Sequence, residues 1–135
     1  MASQPNIALE TIRSLSNGRT LESHASGDVI FRVGEPGDHL YAITDGSVRI
    51  EWGKGIFELL EPGDCFGFDV MVDPRRIRYC SAFAATSVQL LPMNREHFLL
   101  AIQEFPMFAL ESLQALDERL RRVKSSDSDE LAHDS

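Results

Sequence analysis

From Arg19 to Leu91 the chain is a succession of short apolar runs broken by glycine, proline and aspartate. The segments GD, GEPGD, TDGS, GKG, EPGD and VDPRR separate VIFRV, LYAI, VRIEW, IFELL and SVQLL. Runs this short are bounded too closely for amphipathic helices and match strands closed by turns, so residues 19–92 are expected to form a strand-rich sandwich or barrel. Within it, YAITDGSVRIEW predicts a hairpin: Asp45 and Gly46 suit the two central positions of a type I′ turn, with Tyr41, Ile43, Val48, Ile50 and Trp52 alternating around it. Gly34 and Gly37 around Pro36 give the freedom for a second chain reversal.

The flanks have a different period. Ala8, Leu9, Ile12 and Leu15 recur at helical spacing and predict a short N-terminal helix over 6–16. Asn94 suits the cap of a helix carrying Phe98, Leu99 and Ile102 on one face, and Pro106 restarts the chain. In the next helix Ala109, Leu113, Leu116, Leu120 and Val123 form an apolar stripe that must be covered by the strands, by a second copy of itself, or by both. Two helices are therefore expected over 94–124, followed by an acidic, frayed tail over 125–135.

A length of 135 residues fits one domain and one core. A net charge of −8 opposes attraction to nucleic acid or an anionic membrane. The first residues do not read as a secretory signal, and no apolar stretch approaches the roughly 20 residues that cross a bilayer, so a cytoplasmic protein is expected. Cys65 and Cys80 make neither a disulfide framework nor a zinc pattern and read as reduced thiols, with a bridge between them as the alternative. His24, His39, His97 and His133 lack metal-ligand spacing, and no nucleophile–base arrangement stands out. Neither a metal site nor catalysis is expected.

Taken in order, Gly27-Asp28, Ile30-Phe31, Gly34-Glu35, Gly37-Asp38, Leu40-Tyr41-Ile43, Gly46-Val48, Gly63, Phe66-Gly67, Arg78, Ala84, Leu90, Phe98 and Phe105-Pro106 resemble the cyclic nucleotide-binding domain of catabolite-activator and cAMP-dependent kinase regulatory proteins. The resemblance implies an α+β, mainly β fold over 1–124: a double-stranded β-helix (jelly-roll) barrel of eight strands with a short N-terminal helix and two C-terminal helices. It also implies a phosphate-binding cassette from about Phe66 to Ala84, in which amides after the glycine and the guanidinium of Arg78 clamp a phosphate. Gly67, Phe68, Asp69, Val70, Arg78, Tyr79 and Cys80 are the candidate ligand-binding residues.

Two positions depart from the family pattern. Phe68 stands where the family has a glutamate that grips the ribose hydroxyl. A hydrogen bond to a charged group is worth about 1.5–3 kcal/mol, so binding of cAMP or cGMP is expected to be weak or altered. Tyr79 stands where a Ser or Thr touches phosphate, and it could close the pocket mouth. Asp69 is expected to leave the chain in another direction from a glutamate at position 68. For Arg78 two readings stay open, an outside phosphate or an internal ion pair with Asp69 or Asp73. Arg75 and Arg76 either widen a positive region or face solvent.

In transcription factors with this effector domain the last helix leads into a DNA-reading domain. Here it runs into the acidic tail, so a stand-alone module is expected, with a fragment of a longer chain as the alternative. The function that follows is regulatory: a nucleotide-type anion docks in the cassette, and the C-terminal helix reports it to a protein partner. The rival reading has the pocket plugged by Phe68 and Tyr79, with Ala109, Leu113, Leu116, Leu120 and Val123 as a partner or homodimer surface.

Overall fold

A computed structural model describes Ile12, Arg13 and residues 21–134, with side chains as far as Ser125. The helix expected over 6–16 falls outside the described residues except for Ile12 and Arg13, which are helical; Ile12 is fully buried. Eight strands follow: β1 Glu22–His24, β2 Val29–Phe31, β3 His39–Asp45, β4 Val48–Gly53, β5 Ile56–Leu60, β6 Cys65–Phe66, β7 Ser81–Ala84 and β8 Val88–Asn94. Helix α1 (Asp69–Val72) lies between β6 and β7, and helices α2 (Arg95–Glu104) and α3 (Pro106–Asp134) close the chain.

The strands form two antiparallel sheets in the orders β1-β8-β3-β6 and β2-β7-β4-β5, the alternating membership of a jelly roll. Among the described residues they make two separate four-stranded sheets, not the closed barrel that was one expectation. Ile43, Phe66 and Leu90 from the first sheet meet Val48, Ile50, Leu60 and Ala82 from the second in a buried cluster between them. Strands β3 and β8 are buried on both faces: Leu40, Ala42, Leu91 and Met93 point the other way and pack under Val70, Met71, Phe98 and Phe108 of the three helices. Asn94 caps α2 as expected, its Oδ1 accepting from the His97 amide at 2.8 Å.

The hairpin expected at Asp45–Gly46 does not form. Strand β3 pairs with β6 and β8, whereas β4 pairs with β5 and β7, so the chain crosses from one sheet to the other at this point. Gly46 takes a φ of 79°, and a Cβ there would lie 2.0 Å from the Ser87 carbonyl oxygen; Asp45 keeps a negative φ, so the type I′ geometry is absent. That geometry occurs instead at Lys54 (φ 56°) and Gly55 (φ 76°), the two-residue loop joining β4 to β5 and closed by the Gly53–Ile56 pair.

Helix α3 also differs from expectation. No glycine or proline follows Pro106, and the helix passes Lys124 to end at Asp134, so the segment 125–134 expected as a frayed tail is helical. The apolar stripe does not lie down whole on the strands. The buried line runs through Phe108, Ser112 and Arg119 with Leu116 and Val123 half-buried, while Leu113 is 64% exposed and Leu120 68% exposed.

Candidate functional site

The segment after β6 is built by its one glycine and by a distant turn. Gly67 (φ 92°) redirects the chain into the single turn of α1, and the loop after α1 returns through Arg78 to β7. That returning loop is strapped to residues 34–37 by main-chain bonds: Gly34 N–H to Arg78 C=O at 2.8 Å, Arg78 N–H to Glu35 C=O at 2.8 Å, and Gly37 N–H to Arg76 C=O at 3.1 Å. Gly37 matters for space, since a Cβ on it would sit 2.5 Å from Arg78 Nε. The GEPG turn thus serves as one wall of the arginine's slot.

Arg78 is 3% exposed. Its Nη2 donates to the His39 carbonyl at 2.7 Å, and its Nη1 donates to the Gly67 carbonyl at 3.3 Å and to Asp69 Oδ1 at 3.2 Å. The guanidinium carbon lies 4.0 Å from the centre of the Phe31 ring, a cation–π contact. The internal ion pair expected as one reading for this residue forms, with Asp69 rather than Asp73. Asp69 is fully engaged: Oδ1 also accepts from the Val70 amide at 2.9 Å, and Oδ2 accepts from the Tyr79 amide at 3.0 Å.

The other two arginines stay outside. Arg75 pairs with Asp73 at 3.0 Å and donates to the Tyr79 hydroxyl, which in turn donates to Asp73. Hydrogen bonds from Arg75 and Tyr79 hold the Asp73 carboxyl far below the usual carboxylate range. Arg76 is exposed, with a φ of 52°. Tyr79 is turned outward into this surface cluster, 44% exposed, and lines none of the cavity described next.

A cavity of about 410 Å³ opens beside the cassette, within the range of small-molecule sites. Three parts of the fold bound it: Ile50, Trp52, Ile56 and Glu58 from β4 and β5; Phe66, Gly67, Phe68, Asp69 and Cys80 from the cassette; Leu116, Arg119, Leu120 and Val123 from α3. Of the predicted site residues, Gly67, Phe68, Asp69 and Cys80 therefore meet at one cavity, and Leu116, Leu120 and Val123 of the predicted helix stripe face it. Val70 lies in the core beneath, Arg78 backs the wall behind Asp69, and Ala109 and Leu113 lie elsewhere on α3. Phe68 does not fill the space: its ring packs edge-on against Phe98 at 6.3 Å, tying the cassette to α2. Burial pushes the Cys80 and Cys65 thiols up to about 12, and both are free.

Sequence reasoning missed the group that fastens α3 over this cavity. Arg119 Nε and Nη2 donate to Glu58 Oε1 and Oε2, both at 3.0 Å, and its Nη1 donates to the Cys65 carbonyl at 3.1 Å. The pair is bidentate, and the two side chains are 10% and 8% exposed. Trp52 Nε1–H donates to the same Glu58 Oε2 at 2.8 Å. Burial acts to raise the Glu58 carboxyl, but the hydrogen bonds and charge of Arg119, with the indole N–H, outweigh it and hold Glu58 below its ordinary value. Residues 61 positions apart carry no local signature of such a pair; an arginine at helical spacing from Phe108, Ser112, Leu116 and Val123 was the one available signal.

Among the described residues no three His, Cys, Asp or Glu side chains gather as metal ligands, and no helix is long and apolar enough to cross a membrane. Residues 21–105 match the family model of the cyclic nucleotide-binding domain. A CRP-like cAMP-activated global transcriptional regulator of Mycobacterium tuberculosis is 32% identical over 108 residues, 76% of this chain and 48% of that protein. The global nitrogen regulator of Synechococcus elongatus is 30% identical over 133 residues, 92% of this chain and 60% of that protein. The crystal structure of the Thermus thermophilus catabolite activator protein superposes with a TM-score of 0.70 at 29% identity, over 93% of this chain and 61% of that one. The chain spans about half the length of the first of these relatives.

Proposed function

This chain belongs to the cyclic nucleotide-binding domain family, and from that membership we propose a regulatory module that takes a small nucleotide-type ligand beside the cassette and passes its occupancy through α3 to a protein partner. The observation that carries this reading is the three-sided cavity, because a ligand in it touches the cassette, the β4–β5 hairpin and α3 at once. Occupancy can shift the helix only if the ligand has different affinities for two helix positions. The Arg119–Glu58 pair supplies one defined position, and a ligand that competes for either side chain would favour another. With Phe68 in the glutamate's place and its ring in the core, no carboxylate stands at that position for a ribose hydroxyl, which supports weak or altered cAMP and cGMP binding.

Calorimetry with cAMP, cGMP, cyclic dinucleotides and adenine nucleotides tests the reading, with Trp52 fluorescence as a second readout. Trp52 is the chain's single tryptophan, and its indole bonds Glu58 at the cavity wall. Saturable heat together with a change in Trp52 emission is expected; no heat and no spectral change with any of these ligands refutes the reading. The rival module without a ligand draws support from one observation, the exposure of Leu113 and Leu120 on α3.

A further inference from the structure

Asp69 has the partners of a bound anion. Its two oxygens take three donors, the Arg78 guanidinium and the main-chain amides of Val70 and Tyr79, at 3.2, 2.9 and 3.0 Å. A guanidinium with converging main-chain N–H groups is the donor set by which proteins hold phosphate and other oxyanions. The guanidinium is buried, Asp69 is the one carboxylate bonded to it among the described residues, and its other bonds go to main-chain carbonyls. Its Nε has no hydrogen-bond partner and lies against Gly37, where a Cβ would sit 2.5 Å away. Asp69 itself borders the cavity, where an incoming phosphate would meet a carboxylate already in place.

We propose that Asp69 is a built-in occupant of the anion cradle, a specificity-determining carboxylate that holds phosphate-bearing ligands off Arg78 until it is displaced. This rests on the cavity being a nucleotide-type site. A phosphate beside Asp69 would place two negative charges on the same three donors, so Asp69 must swing away and give up its bonds before the ligand can settle. The apparent affinity then falls by the fraction of molecules in which the cradle is vacated. A cradle self-occupied ten times out of eleven, for example, costs roughly tenfold in affinity. Cys80, next to Tyr79, keeps its proton and offers no competing charge.

The test is calorimetry on the full chain as wild type, Asp69→Ala and Asp69→Asn, with inorganic pyrophosphate and, separately, cAMP. Asp69→Ala is expected to bind pyrophosphate at least about tenfold more tightly than wild type, with the gain abolished in Asp69→Ala/Arg78→Ala. Unchanged or weaker pyrophosphate binding by Asp69→Ala overturns the proposal. Should that variant fail to fold, Asp69→Asn, which keeps the shape and removes the charge, decides by the same criterion. A pyrophosphate gain with no cAMP bound by any variant upholds the role of Asp69 and counts against the nucleotide reading. Tight cAMP binding by wild type with no gain on removing Asp69 does the reverse.

Discussion

Replacing Glu58 with alanine should release α3 from the strands while leaving the jelly roll folded. The substitution strips both bonds from Arg119 Nε and Nη2 and leaves a guanidinium held by the Cys65 carbonyl alone, in a site where the two partners are 10% and 8% exposed. Removing one member of a pair buried this deeply costs about 3–5 kcal/mol, because the survivor keeps its desolvation penalty without its counter-charge. That equals roughly two to four powers of ten in the docking equilibrium of the helix. A domain of this size has about 5–15 kcal/mol in total, so the loss is large without being fatal. Hydrogen exchange of amides from Phe108 to Val123, with urea unfolding alongside, reads it directly, and faster exchange confined to α3 is expected. Replacing both partners by apolar residues, Glu58→Leu with Arg119→Met, should restore most of the protection, since the uncompensated charge is gone. A loss below about 1 kcal/mol in Glu58→Ala, the worth of a solvent-exposed pair, would refute the reasoning.

Three further outcomes follow from the same contacts. Because the Glu58 carboxyl is held below its ordinary value of 4.5, its contribution is complete above that pH and is lost as pH falls through the lower, folded-state value; Glu58→Gln should flatten the acid limb of a stability–pH curve measured by denaturation. Gly46→Ala should cost more than the roughly 1–3 kcal/mol of a left-handed non-glycine residue, since its Cβ would also strike the Ser87 carbonyl, and thermal unfolding of a folded, unaltered variant would contradict the crossover geometry. If the exposed leucines of α3 meet a second copy, Leu113→Glu should shift light scattering from dimer to monomer; a parent protein that is monomeric at high concentration removes that surface from consideration.

Much of the architecture was readable because turn residues carry their chemistry locally. The glycines and prolines between 19 and 92 located the strands, and Asn94 and Pro106 located the helix boundaries. What they could not give was strand partnership. A glycine with positive φ between two alternating runs looks the same whether the chain folds back within one sheet or steps across to the other, and Asp45–Gly46 steps across while Lys54–Gly55 folds back. The cassette divided similarly. The position of Arg78 followed from order and spacing, but which of Asp69 and Asp73 it paired with depended on side-chain directions that spacing does not encode. The bond between Arg119 and Glu58 joins elements brought together by the finished fold alone, so no window of sequence contains it.

Arg119 has one more consequence. Glu58 belongs to β5 and Cys65 to β6, edge strands of the two sheets, so a single side chain ties one edge strand of each sheet to α3. Unpaired strand margins are templates for intermolecular addition. If the proposed signal lifts α3, both edge strands lose this tie together, and a guard against self-association loosens with it.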